Sequence, residues 1–181
     1  MFRRRPNPDV IVADENGVPD LARLRQSAEA YYALHLEAVR EADFHKRVHA
    51  QWGLVARGAD ALPFLMTMLR SSCPESREDA AAALARLGTS DPEVVAGLLD
   101  ALRDAVSHEE RDSVLLCLGA LRARAAVPAL AEMVRDPAVD GDTRHLAAQV
   151  LGQVVRRRFD KQPDPVAAAV AWLDAHPTAT A

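Results

Sequence analysis

The chain is expected to fold as an all-α, right-handed α-solenoid of about four helical hairpins closed by a capping helix. Three observations predict this. A basic residue followed by small and apolar residues, with a leucine seven positions on, recurs from Arg47, Arg77, Arg111 and Arg144, at intervals of 30, 34 and 33 residues. A period of that size marks stacked supersecondary units, none of which can bury its apolar face alone. Hydrophobic residues make up 49% of the 181-residue chain and aromatics only 4%, so alanine supplies much of the apolar surface. Alanine favours helix and lets helices approach closely.

The elements follow in order. Residues 1–19 hold three prolines, a DENG turn and the triplet Val10-Ile11-Val12, and are expected to form an extended arm. Asp20 is a candidate N-cap for a helix from Leu21 to about Ala42, and a second helix runs from about Asp43 to Arg57. No proline or glycine separates these two, so one long kinked helix and two helices remain open. Ala61–Arg70 is a short helix. Pro74 suits the first turn of a helix ending at Gly88, a C-cap signal. Asp91-Pro92 opens the next helix, to about Val106. Ser107 with Glu110 three residues on is a capping-box pattern for a helix to Leu121. Ala125–Arg135 and Asp142–Arg158 form the third clear pair. Asp164-Pro165 starts a last helix to about His176, expected to cap the final pair over a solenoid spanning 20–176. The tail at 177–181 is expected to fray.

The repeated strings resemble a known family. Arg77, Ala80, Ala81, Ala83 and Leu84 correspond to Arg144, Ala147, Ala148, Val150 and Leu151. Preceding helices carry Ala61-Leu62-Pro63-Phe64-Leu65 and Ala126-Val127-Pro128-Ala129-Leu130. These strings resemble the HEAT-repeat family, in particular the short bacterial form called PBS-lyase HEAT-like repeats, well over 44–158 and loosely elsewhere. The resemblance implies HEAT-like hairpins whose second helices line a concave face. Members are mostly scaffolds, adaptors and inhibitors, some act as lyases on tetrapyrrole chromophores, and distant relatives act on DNA bases.

Composition narrows the function. The net charge is −4, which disfavours a broad nucleic-acid surface. Charge is unevenly spread: residues 1–57 carry 9 basic and 8 acidic groups, 58–142 carry 8 and 15, and 143–181 carry 5 and 3. The middle is therefore an acidic belt. Cys73 and Cys117 have neither metal nor disulfide-scaffold spacing, which fits a reducing compartment. No apolar run reaches the length of a membrane span, and the N-terminus lacks a signal peptide's apolar core, so a cytoplasmic location is expected. The excess of arginine over lysine, with abundant alanine, points to a GC-rich bacterial genome.

Individual residues carry two readings each. The arginine ladder is either an anion-binding stripe or a set of structural pairings with neighbouring acidic residues or helix-end carbonyls. Periodicity favours the second. Acidic residues at the starts of second helices (Glu75, Glu78, Asp79; Glu109, Glu110, Asp112; Asp140, Asp142) complement the helix dipole, or form a rim that steers a basic partner. Glu37, Glu41, His45 and His49 stand four apart and would share one face of a continuous helix. The HExxH metal pattern is absent, and salt-bridged surface side chains are the expected account. Cys117 occupies a buried alanine-equivalent position. There is no phosphate loop, nucleophile elbow or CxxC motif.

The expected site is the concave face: His49 and Trp52; Asp79 and Arg86; Asp112 and Leu116; His145, Leu146 and Gln149. Trp52, Leu116 and Leu146 are larger and more apolar than a solvated face requires. The function expected is a non-catalytic protein-interaction module with no cofactor and no metal, whose protein partner is basic. A small-molecule or lyase-like use of the same groove is the alternative, and DNA binding is less favoured.

Overall fold

The computed structural model describes Leu21 and residues 24–180, so the expected arm at 1–19 and the Asp20 cap lie outside the described residues. Those residues form helices and no strand. They divide into two compact units that meet in sequence at Met68 and Leu69.

The first unit begins with α1 (Ala28–Glu41) and α2 (Phe44–Arg57). The helix expected from Leu21 starts seven residues later, for one local and one distant reason. Ser27 caps it by accepting from the Ala30 amide at 3.2 Å. The Leu24 carbonyl, which a longer helix would need, accepts instead from Arg57 Nη2 at 2.8 Å. Between α1 and α2 the chain makes two helices rather than one kinked one. Ala42 adopts the left-handed region at φ 53°, and Asp43 then caps α2 through the Lys46 amide at 3.0 Å. Glu37 and Glu41 therefore share no continuous helix with His45 and His49. Lys46 bridges the two glutamates at 3.2 and 2.9 Å. A 3-10 turn (Gly58–Ala61) leads into α3 (Leu62–Leu69). Tyr31, Ala38, Ala50, Leu54 and Leu65 are fully buried. Gly53 lies directly beneath the Tyr31 ring, where a Cβ would collide.

The second unit contains α4 (Pro74–Leu87), α5 (Pro92–Asp104), α6 (His108–Ala120), α7 (Val127–Arg135), α8 (Gly141–Val155) and α9 (Pro165–Ala175). Each break has a chemical cause. Asp91, Ser107, Asp140 and Asp164 cap the helices that follow them with side-chain oxygens. Gly88 ends α4 at φ 68°, a conformation glycine adopts without strain. α5 packs on α6, α7 packs on α8, and the second helices α4, α6 and α8 pack on one another in succession. Alanines allow that approach: Ala80, Ala81, Ala83, Ala147 and Ala148 are all fully buried, interleaved with Leu84, Leu115, Leu118 and Leu151. α9 lies against both α7 and α8 and closes the stack as expected. Residues 177–180, expected to fray, form a 3-10 turn beside α7.

α8 is shifted from its expected span of Asp142–Arg158. Its cap is Asp140, and it stops at Val155 because Arg156 turns into the left-handed region. The Arg157 amide then returns to the Gly152 carbonyl at 2.7 Å. A Cβ on Gly152 would stand 2.7 Å from the Arg157 carbonyl oxygen, so only glycine permits this fold-back.

Gly53→Ala is expected to destabilise the protein by about 1–3 kcal/mol, because the added methyl must displace a fully buried tyrosine ring. Urea unfolding followed by circular dichroism measures it, and an unchanged midpoint would show that the α1–α2 contact is looser than described.

Candidate functional site

The most buried charged groups of the second unit form an ion pair between successive second helices. Arg77, in the first turns of α4, is 7% exposed, and Glu110, at the start of α6, is 1% exposed. Arg77 Nε donates to Glu110 Oε1, and Nη2 donates to Oε2 at 3.0 Å. The remaining arm, Nη1, donates to the Ser71 carbonyl at 2.6 Å in the loop before α4. Glu110 Oε2 also accepts from the Val106 amide at 3.1 Å in the loop before α6. The glutamate's hydrogen bonds and charge hold the guanidinium's pKa above its usual value, against the opposing effect of burial.

This corrects the capping-box reading in one respect. Ser107 does cap α6, accepting from the Glu110 amide at 3.1 Å. The glutamate, however, turns to Val106 and Arg77. Elsewhere in the ladder Arg144 donates to the Val134 carbonyl at the end of α7, from Nε at 3.1 Å and Nη2 at 3.0 Å. At both positions the arginine has a structural pairing. The carboxylate itself occurs once, because Ser76 and Thr143 hold the place of Glu110 before Arg77 and Arg144.

With α4, α6 and α8 fixed side by side, the residues between their buried positions form an outward strip in the second unit. Leu116 is 51% exposed at the middle of α6. Asp112 lies one turn before it, partly buried. Leu146 and Gln149 are partly buried on α8, while His145 is exposed. Arg86 is exposed on α4 and donates from Nη1 to the Ala82 carbonyl at 2.9 Å.

Two expected site residues do not face solvent. Asp79 is buried at 8% exposure within α4. His49 is 9% exposed in the first unit, with its ring 5.9 Å from that of Tyr31, because α1 covers that face of α2. Trp52 also belongs to the first unit and is partly buried.

The electrostatics of the strip are uneven along its length. Burial raises the Asp112 pKa above 3.8, the nearby Asp140 and Glu109 add to this, and His108 and Arg111 oppose it. Asp140 is held below the usual carboxylate range, chiefly because the Thr143 backbone amide donates to it. Cys117 is fully buried and its thiol is pushed up to about 12 by burial, which makes it a packing residue. Cys73 donates its thiol to Glu75 Oε2 at 3.0 Å. Among the described residues no group of three or more His, Cys, Asp or Glu side chains is placed to hold a metal ion.

At the other end of α6 and α8 the structure gathers Arg122 and Arg156–Arg158 around one groove. Reading the sequence for helix-face residues passed over Arg122, since it lies beyond the helix end. Its register in the repeat was the available signal.

A family model described as HEAT repeats matches residues 33–118. Over that span the chain is similar to HEAT repeats. HEAT repeats are typically protein-interaction modules and non-catalytic scaffolds. No curated protein and no solved structure matches the chain. Among the described residues, no helix is long and apolar enough to cross a membrane.

Removing one partner of the buried pair, by Arg77→Ala or Glu110→Ala, is expected to cost about 3–5 kcal/mol. The apolar double variant Arg77→Met, Glu110→Leu is expected to be far less destabilised than either single. A double-mutant cycle by chemical denaturation measures both, and additive losses would contradict direct pairing. Asp112 supplies a pH test. A carboxyl with a raised folded-state pKa costs stability as pH rises from its ordinary range through the folded value. Asp112→Asn should therefore be more stable than the parent at neutral pH and lose that advantage below pH 3.8.

Proposed function

We propose that the chain is a non-catalytic interaction module that binds a protein partner across the strip of α4, α6 and α8. One observation carries the reading. Leu116 stands half-exposed on α6, in the register position that the small Ala82 holds on α4. Its apolar surface lies in the middle of the strip, flanked by polar groups, and covering it with an apolar side chain of a partner would remove that surface from water.

The neighbours of Leu116 specify the partner's chemistry. Asp112 is a carboxylate whose surroundings disfavour its charge, and Glu109 and Asp140 stand near it. A lysine or arginine placed beside Asp112 would relieve that penalty. The partner is therefore an apolar side chain accompanied by a basic one, and the binding module acts as an adaptor, regulator or inhibitor.

Leu116→Asp is expected to leave helix content and melting temperature nearly unchanged, since half the side chain is already in water, while abolishing capture of the partner from the source cell. Asp112→Asn should weaken the same capture at neutral pH. If both variants retain the parent's captured proteins in full, the binding surface lies elsewhere.

A further inference from the structure

The second helices end in a common register. α2, α4, α6 and α8 are followed by residues of positive φ at Gly58 (58°), Gly88 (68°), Arg122 (50°) and Arg156 (58°). Their intervals are 30, 34 and 34 residues, within one residue of those of the repeat. Glycine meets this requirement without strain, and side chains with a Cβ do not. The first two copies use glycine and the last two use arginine.

The motif is the one for which glycine is most favoured. After α6 the Arg122 amide donates to the Gly119 carbonyl and the Ala123 amide to the Leu118 carbonyl, both at 3.0 Å. After α8 the Arg157 amide donates to the Gly152 carbonyl at 2.7 Å. These are Schellman closures, whose left-handed residue is usually glycine. A basic residue that complements a helix end can sit in the last turn and leave the left-handed position to glycine. α4 places Arg86 in its last helical turn and keeps Gly88 at the cap, whereas α6 and α8 carry no basic residue in their last turns.

The strained position directs both side chains to one place. Arg122 and Arg156 line a single groove of about 570 Å³ together with Arg157, Arg158, Gln149 and Gln153. Gly152 forms part of the groove wall, and Gly119 is the point where Gln153 approaches α6 closely. Asp160 is the one acidic residue in the lining, and it lies 3.5 Å from both Arg158 and Lys161. Among the described residues no carboxylate lies within ion-pair distance of Arg122, Arg156 or Arg157.

We propose that this groove binds a carboxylate-rich segment of a protein partner. Arginine forks match carboxylates in a bidentate geometry, and the two glutamines add neutral donors. Charge favours an acidic peptide over nucleic acid. A phosphate backbone continuing along α6 and α8 would meet Glu109, Asp112 and Asp140 within about 20 Å, the length of these helices. A short acidic segment engages the arginines alone. The groove shares Gln149 with the strip but not Leu116, and the inference stands whether or not that leucine touches a partner.

The test is titration of the full chain with an oligoglutamate peptide at low and physiological salt, beside a single-stranded oligonucleotide of equal charge. Oligoglutamate is expected to bind with a salt-sensitive affinity and the oligonucleotide more weakly. Arg122→Gly with Arg156→Gly should weaken oligoglutamate binding at least about tenfold. The melting temperature should stay level or rise, because glycine relieves both backbone strains. Arg124→Ala with Arg103→Ala removes the same charge outside the groove and should leave affinity within about twofold of the parent. Absence of oligoglutamate binding, equal losses in both double variants, or tighter binding of the oligonucleotide would each overturn the proposal. A marked fall in melting temperature for the glycine variant would also overturn it, by making the arginines helix caps.

Discussion

The buried pair of Arg77 and Glu110 is the constraint on which the second unit depends. Four hydrogen bonds tie together two helices and the loops that precede them: Arg77 reaches Ser71 and Glu110, and Glu110 reaches Val106. Burial of two charges is tolerable only when every polar atom has a partner, and here the two loops supply the missing ones. The pair therefore aligns the starts of α4 and α6, and with them the offset at which their alanine and leucine faces meet.

From that alignment the surface follows. Once Ala80, Ala81, Ala83 and Leu84 of α4 are committed to the core with Val114, Leu115, Cys117 and Leu118 of α6, the residues between them face out. Leu116 becomes exposed because its neighbours on both sides are buried. The strip it belongs to is polar in a directional way. Carboxylates gather where α6 and α8 begin and arginines where they end, and both trends agree with the helix dipoles. A structural preference and a recognition surface thus share the same residues. They separate only where the backbone is strained, at Arg122 and Arg156.

Much of the fold was legible in the sequence. The period, the caps at Asp91, Ser107 and Asp164, and the glycine at 88 are short-range signals whose physics is complete within a few residues. The errors fell where a distant group intervened. α1 starts late because Arg57, more than thirty residues away, takes the Leu24 carbonyl. Glu110 reads as half of a capping box because the sequence does not show that Arg77 lies beside it. His49 and Asp79 were assigned to the outer face by repeat register, and both are buried. Register is a weaker guide than packing in the first copy, where Tyr31 of α1 lies over α2.

By itself, the sequence determined that this chain is a stack of helical pairs and which residues of each second helix are small enough to be buried. Helix propensity, capping and periodic apolarity are local or repeated properties, so a linear reading contains them. Only the tertiary structure decided which charges are spent inside the stack and which remain available at its surface. That distinction turns on pairs such as Arg77 with Glu110, on the Val134 carbonyl that holds Arg144, and on the left-handed turns that bring Arg122 and Arg156 to one groove. Each depends on where a side chain turns once the helices have packed, which the repeat spacing alone does not set.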